Sequence, residues 1–275
     1  MGLRSWLKRM MGQSGPVIPV VRLHGVIAAD QRAGRLNIET VAPLLKRAFA
    51  NKAAPAVAII VNSPGGSPVQ SRLIAKRIRD LADENRKLVL VFVEDAAASG
   101  GYFIATAGDE IIADPSSIVG SIGVIFAGFG FVGALDKLGV ERRVHTSGRN
   151  KSTLDPFMPE KPEDVERIKT MEADIHAVFI DWVKSRRAGK FKADDDTLFT
   201  GEFWSGVRGL DLGLVDALGD IRGTLRSRFG DKVEMQVIAP KRGLFQLPRF
   251  GLSADLAVDI AAAIEDRAHW TRFGL

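Results

Sequence analysis

Ser99 and Lys151 are the side chains of this 275-residue sequence with the most to offer as chemistry. Ser99 lies in AAASGGY (96–102), among small residues that leave room for a substrate backbone. An apolar run, LVLVFV (88–93), precedes it and reads as a strand, and a helix follows. Ser99 therefore stands near a helix N-terminus, where N–H groups and a positive dipole end collect. A hydroxyl there can attack a carbonyl, or it can simply cap the helix. A second glycine-bearing turn, NSPGGS (62–67), follows the run AVAIIV (56–61). Gly65 and Gly66 can expose backbone N–H groups of the kind that hold an oxyanion, or can form an ordinary strand–helix turn.

A nucleophilic serine needs a base, and the chain has four histidines. His24 falls in an early strand, His145 in a basic strand, His176 within a helix and His269 in the tail. None has a glycine-rich or loop setting with a carboxylate close in sequence. Lys151, at the centre of the loop SGRNKSTLDPF (147–157), is the alternative base; otherwise it is a solvated loop charge. A lysine is a base only when neutral, and a free amine titrates near about 10.4. Apolar, dehydrated surroundings can lower that by about three units. The uncharged stretch SIVGSIGVIFAGFGF (117–131) offers such walls.

The elements that must position these residues alternate between strand and helix, which argues an α/β fold. After NSPGGS a helix carries Val69, Leu73, Ile74, Ile78 and Leu81 on one face. EIIAD (110–114) is a short strand, and GALDKLG (133–139) a helix closed by a glycine. A long helix spans 162–186, with Val165, Ile168, Ile175, Val178, Phe179 and Trp182 inward. The uncharged segment 115–135 is long enough to span a membrane, but it is glycine-rich and lacks basic anchors, so it reads as strand, turn and helix start. The domains predicted are a basic amphipathic helix over 1–15, one catalytic domain over 16–239, and a tail with one helix over 240–275.

Composition narrows the function. With 38 basic and 33 acidic residues the net charge is +5, without a dense basic stripe, and there is one tyrosine. Nucleic-acid binding is not expected. The absence of cysteine excludes disulfides and thiolate metal sites. GFGFVG (128–133) matches a dinucleotide pattern but lacks the acid about 20 residues on, since Glu141 comes too early. Neither metal nor cofactor is expected. Residues 1–11 suit a membrane surface or a partner subunit, and no signal peptide is apparent, so the location predicted is cytoplasmic or peripheral on a membrane.

Taken together these stretches resemble the bacterial signal peptide peptidases of the Ser–Lys type, relatives of the Clp protease and crotonase folds. VRLHGVIAA, VNSPGGSPVQS, AAASGGYFIATAGDEIIADPSSIVGSIGVI, SGRNKSTLDPF and FTGEFWSGVRGLDLGLVDALGD carry the resemblance, over roughly residues 17–222. It implies a spiral of strand–strand–helix units and a serine endopeptidase that hydrolyses apolar, extended peptides such as cleaved signal peptides. It places the nucleophile on Ser99, the base on Lys151, and the oxyanion donors on Gly65 or Gly66 and Gly100. Ser121 would orient the lysine. The 52-residue spacing resembles the short members, with both residues from one repeat unit. Rings or domes of identical subunits are implied. Many relatives begin with a membrane anchor where this sequence shows only the short basic helix, and the resemblance assigns no match to the tail after about 240. Two rival readings are a crotonase-type acyl-CoA enzyme, whose nearest acids would be Glu94 and Asp95, and an inactive membrane-associated scaffold.

Overall fold

A computed structural model describes residues 15–32, 34–240 and 266–275. Residues 1–14 of the expected helix over 1–15, and residues 241–265 of the tail, lie outside them. The strands are β1 (Val17–His24), β2 (Ala56–Ser63), β3 (Leu88–Ala98), β4 (Glu110–Ala113), β5 (Ile118–Gly120), β6 (Phe203–Ser205), β7 (Ala217–Leu218) and β8 (Glu234–Val237). The helices are α1 (Ile38–Phe49), α2 (Pro68–Asn85), α3 (Gly100–Ala105), α4 (Val132–Leu138), α5 (Pro162–Arg186), α6 (Asp195–Leu198), α7 (Gly206–Leu212), α8 (Ile221–Phe229) and α9 (266–271).

The sheet runs β6-β5-β3-β2-β1-β8, and every pairing is parallel except β5–β6. Parallel strands are covered on both faces, so they are apolar throughout rather than alternating. β2 is buried along its whole length. Its Val57, Ile59 and Val61 face a core shared with α1, α2 and α3, while Ala58 and Ile60 face a smaller one closed by Leu225 of α8.

β3 has two partners on one edge. Leu90–Val93 pairs with β4, and Ala96–Ala98 pairs with β5. A bulge separates the halves: Val61 pairs with Val93, but Ser63 pairs with Ala97. The extra residues on β3 bend it and aim its end, a frequent device beside active sites. Asn62, buried opposite the bulge, fills the broken ladder. Its Oδ1 accepts from the Ala96 amide at 3.2 Å and its Nδ2 donates to Asp95 at 2.5 Å.

α5 has the bounds expected of it, yet only Asp164, Phe179 and Val183 are buried. Val178, expected inward, is 50% exposed, and Val69 of α2 is 65% exposed. The buried face of α2 runs instead through Ser71, Ile74, Ala75, Ile78, Leu81 and Ala82. Residues 140–146, expected to hold His145 in a strand, carry no strand.

Behind α5, Arg187 is buried and donates to Asp216 Oδ2 and to the Gly213 carbonyl, both at 2.6 Å. Asp216 also accepts from the Ile111 amide at 2.8 Å and pairs with Lys190 at 2.9 Å. Burial alone would raise the Asp216 carboxyl, but Arg187, Lys190 and the amide outweigh it and hold it below the usual carboxylate range. A carboxylate that ionises more easily in the folded chain stabilises it above the unfolded value, about 3.9. That contribution is lost as pH falls through the lower folded value. Asp216→Asn should therefore lower the urea midpoint at pH 7 and flatten its fall toward pH 3. Equal slopes in both proteins would contradict the assignment.

Candidate active site

The site lies beyond the carboxyl ends of β1, β2, β3 and β5, where open parallel sheets place their ligands. Ser99 leaves β3 and opens α3 with φ +51° and ψ −121°. Few residues other than glycine adopt that conformation, and it costs on the order of 1–3 kcal/mol. Its amide donates to the Gly120 carbonyl at 2.8 Å and its carbonyl accepts from Phe103 at 2.9 Å. Its side chain makes no capping hydrogen bond. The capping role is thus excluded by geometry: the backbone is fixed at both ends while the hydroxyl has no partner among the described residues, as on a nucleophile elbow.

Ser99 lines a cavity of about 600 Å³. Val26, Ile27, Val69, Phe103, Val178 and Phe179 form apolar walls, and Gly66 and Gly100 lie beside the serine. The loop of Gly65 and Gly66 is clamped by the segment after β1, because Ile27 donates to the Gly65 carbonyl at 2.8 Å and accepts from the Ser67 amide at 2.7 Å. Both glycines have positive φ, +103° and +134°. A Cβ on Gly66 would stand 2.0 Å from the Ile27 carbonyl oxygen, so the turn admits glycine alone. The Gly65 amide is taken by Ser63 Oγ at 3.2 Å. Among the described residues the Gly66 and Gly100 amides have no acceptor. Of the three expected oxyanion donors, Gly66 and Gly100 are therefore available and Gly65 is occupied.

Ser121 follows Gly120, which pairs with Ala98, so it sits next to Ser99 across the β3–β5 ladder. It is buried, with φ +53°, and its amide donates to Glu202 at 2.6 Å. Its hydroxyl has no hydrogen-bond partner among the described residues.

Lys151 is not in this cavity. It is exposed and makes no ion pair or side-chain hydrogen bond among the described residues. It belongs to an arm, residues 124–161, that holds itself together. Phe131 stacks on Phe157 with centroids 5.4 Å apart, Arg142 pairs with Asp155 at 2.7 Å, and Leu154 donates to Asp164 at the start of α5. His176, twelve residues further along α5, bonds the Ile122 carbonyl near Ser99 at 2.9 Å. Twelve helical residues span about 18 Å. The arm thus runs from the cavity wall, where Val124 and Ile125 lie, out to the far end of α5, and displays apolar side chains, with Phe129 82% and Leu138 75% exposed.

Glu94 is ion-paired with Arg22, and Asp95 is bonded to Asn62; neither lines the cavity. Among the described residues no group of three or more His, Asp or Glu could hold a metal ion, and no helix is long and apolar enough to cross a membrane. Sequence reasoning missed Asn62, whose only signal was a polar residue ending a buried strand. Asn62→Leu removes two hydrogen bonds from the bulge and should cost about 1–3 kcal/mol. In a peptide cleavage assay it should lower kcat more than it raises KM. An unchanged kcat would show that the bulge does not position the serine.

The model of peptidase family S49 matches residues 82–231. A Na(+)/H(+) antiporter NhaA of Brucella abortus is 57% identical over 272 residues, covering 94% of this chain but only 37% of that protein. The chain thus spans little more than a third of that relative. A putative protease of Synechocystis is 31% identical over 265 residues, with 93% of this chain and 91% of that protein covered. A putative signal peptide peptidase SppA of Enterococcus faecium is 30% identical over 213 residues, covering 76% and 61%. Among solved structures, the 1510-N membrane-bound stomatin-specific protease has a TM-score of 0.51 in two mutants. A serine-to-alanine mutant is 16% identical, covering 83% of this chain and 100% of that one. A lysine-to-alanine mutant in complex with a substrate peptide is 18% identical, covering 82% and 94%. At that identity the likeness establishes the fold, the α/β spiral expected of Clp protease and crotonase relatives.

Proposed function

Since this chain belongs to peptidase family S49, we propose that it is a serine endopeptidase in which Ser99 is the nucleophile and Lys151 the general base. The observation that carries the reading is Ser99 itself: a strained residue whose hydroxyl has no partner among the described residues, in a cavity also lined by Gly66 and Gly100, whose amides are likewise unpaired among them.

The chemistry follows from those groups. A neutral lysine amine takes the proton from Ser99 Oγ as the oxygen attacks the scissile carbonyl carbon. The carbonyl oxygen gains the electron pair and is held by the Gly66 and Gly100 N–H groups. The C–N bond then breaks, and the lysine ammonium protonates the departing amine. Water, deprotonated by the same amine, attacks the acyl-serine; the C–Oγ bond breaks, the lysine ammonium returns its proton to Ser99 Oγ, and the acid is released. The apolar walls support an apolar, extended substrate.

Lys151 must reach the serine, and the arm suggests how. An exposed apolar arm on one copy docks on a second copy and brings Lys151 to that copy's Ser99. Such a contact joins two different patches, and repeated around an axis it closes a ring. The solved protease of this fold, studied as serine and lysine mutants, supports a site built from those two residue types.

The test is a panel of fluorogenic apolar peptides with the wild type and a fluorophosphonate probe. Cleavage together with labelling at Ser99 supports the reading; labelling elsewhere, or none with active protein, removes it.

A further inference from the structure

The cavity that holds Ser99 has a wall the mechanism does not use. Asp266, His269 and Arg272 line it. Asp266 and His269 lie on α9 and Arg272 follows it directly; the three-residue spacing puts them on one face.

Three contacts hold that face in place. Arg35, with its side chain 6% exposed, donates to Asp266 from Nη2 at 2.7 Å and from Nε at 3.4 Å, and pairs as well with Asp30. Trp270 stacks on His24 at the end of β1, with ring centroids 6.0 Å apart. Phe273 is buried edge-on against Phe203 of β6 at 5.0 Å. The helix is thereby fixed to both ends of the site.

The charge this wall brings is one-sided. Arg35, Arg72 and Arg272 line the cavity with His269, against the single carboxylate of Asp266. That carboxylate is engaged by Arg35. Among the described residues neither Arg72 nor Arg272 has a carboxylate partner, and the Arg272 guanidinium lies over the Phe273 ring at 5.8 Å. An apolar cleft lined by two guanidinium groups that meet no carboxylate among the described residues favours a ligand that is apolar in the middle and anionic beside it.

We infer that α9 is a specificity wall of the peptide cleft and that Arg272, with Arg72 of the same cleft, selects apolar peptides carrying a carboxylate next to the apolar stretch. This rests on the cleft being the peptide site of the proposed peptidase, and it is tested without turnover. Ser99→Ala protein binds four fluorescent peptides that share one apolar core. Three are C-terminal amides flanked by Glu, Gln or Lys, and the fourth has Gln and a free C-terminus. Anisotropy gives each Kd at low and high salt. With two exposed ion pairs available, the Glu peptide should bind about five-fold tighter than the Gln peptide and lose that advantage in high salt. The Lys peptide should bind more weakly than both. Adding Arg272→Glu, an exposed change outside the Arg35 contact, should reverse the order of Glu and Lys. If only the free-terminus peptide gains, the carboxylate selected is the chain end. Kd values within two-fold across the panel, or an order indifferent to Arg272→Glu, would overturn the inference. A preserved Glu preference in a wild type that cleaves nothing would instead remove the peptidase reading and leave the wall standing.

Discussion

Ser99→Ala abolishes peptide cleavage, by on the order of 10³-fold or more, and leaves the chain folded. The loss follows from chemistry alone: without Oγ no acyl intermediate can form, and what remains is whatever the glycine amides and the cleft provide. The stability outcome follows from the backbone. Alanine inherits the φ of +51°, and the lost hydroxyl made no capping bond, so the melting temperature should barely move. Ser99→Gly is equally inactive but relieves the strained conformation, and should be more stable than Ser99→Ala by about 1 kcal/mol. Thermal melts of the two variants separate the roles. If alanine destabilised the chain as much as it slowed cleavage, Ser99 would be a structural residue.

Lys151→Ala produces a loss of the same order with no change in stability. The residue is exposed and unpaired among the described residues, so a substitution with a purely structural effect would lie within about 0.5 kcal/mol. A large loss of kcat at constant melting temperature and unchanged assembly size is therefore readable as lost chemistry. Lys151→Arg should be as inactive as alanine, because a guanidinium keeps its proton and cannot serve as base. Near-normal turnover of Lys151→Ala would remove the dyad. With the serine and lysine acting as one unit, as proposed, the double variant should be no slower than either single one.

Much of the scaffold was legible in the residue order. AVAIIV and LVLVFV are continuous apolar runs, as strands buried on both faces must be, and α5 has the bounds its proline and periodicity suggested. Gly139 ends α4 at φ +64°, as a C-terminal glycine should. The inward residues were read less well. Val69 and Val178 look like core positions but line the cavity, because apolar periodicity marks a face that avoids water without saying whether protein or substrate covers it. The bulge opposite Asn62 and the division of β3 between β4 and β5 depend on pairing across the sheet, which no local pattern encodes.

The candidate site divides in the same way. Ser99, Gly66 and Gly100 were legible because a strand end, a glycine turn and a helix start each leave local marks, and the sheet brings those ends together. That Ser63 occupies the Gly65 amide is a single rotamer and leaves no such mark. Lys151 was legible as a residue type in a loop, but not its distance from the serine, which depends on where α5 carries the arm. The wall formed by α9 was invisible, since it joins Asp266 to Arg35, 231 residues away.

Mixing two inactive variants tests the shared site most directly. Ser99→Ala and Lys151→Ala chains are co-expressed, purified through different tags so that only mixed assemblies remain, and assayed on a fluorogenic apolar peptide. With the serine of one copy served by the lysine of the next, random mixing leaves about a quarter of the sites with both groups intact, and cleavage returns to that fraction of wild type. Mixed assemblies as inactive as either parent would contradict a dyad completed between copies.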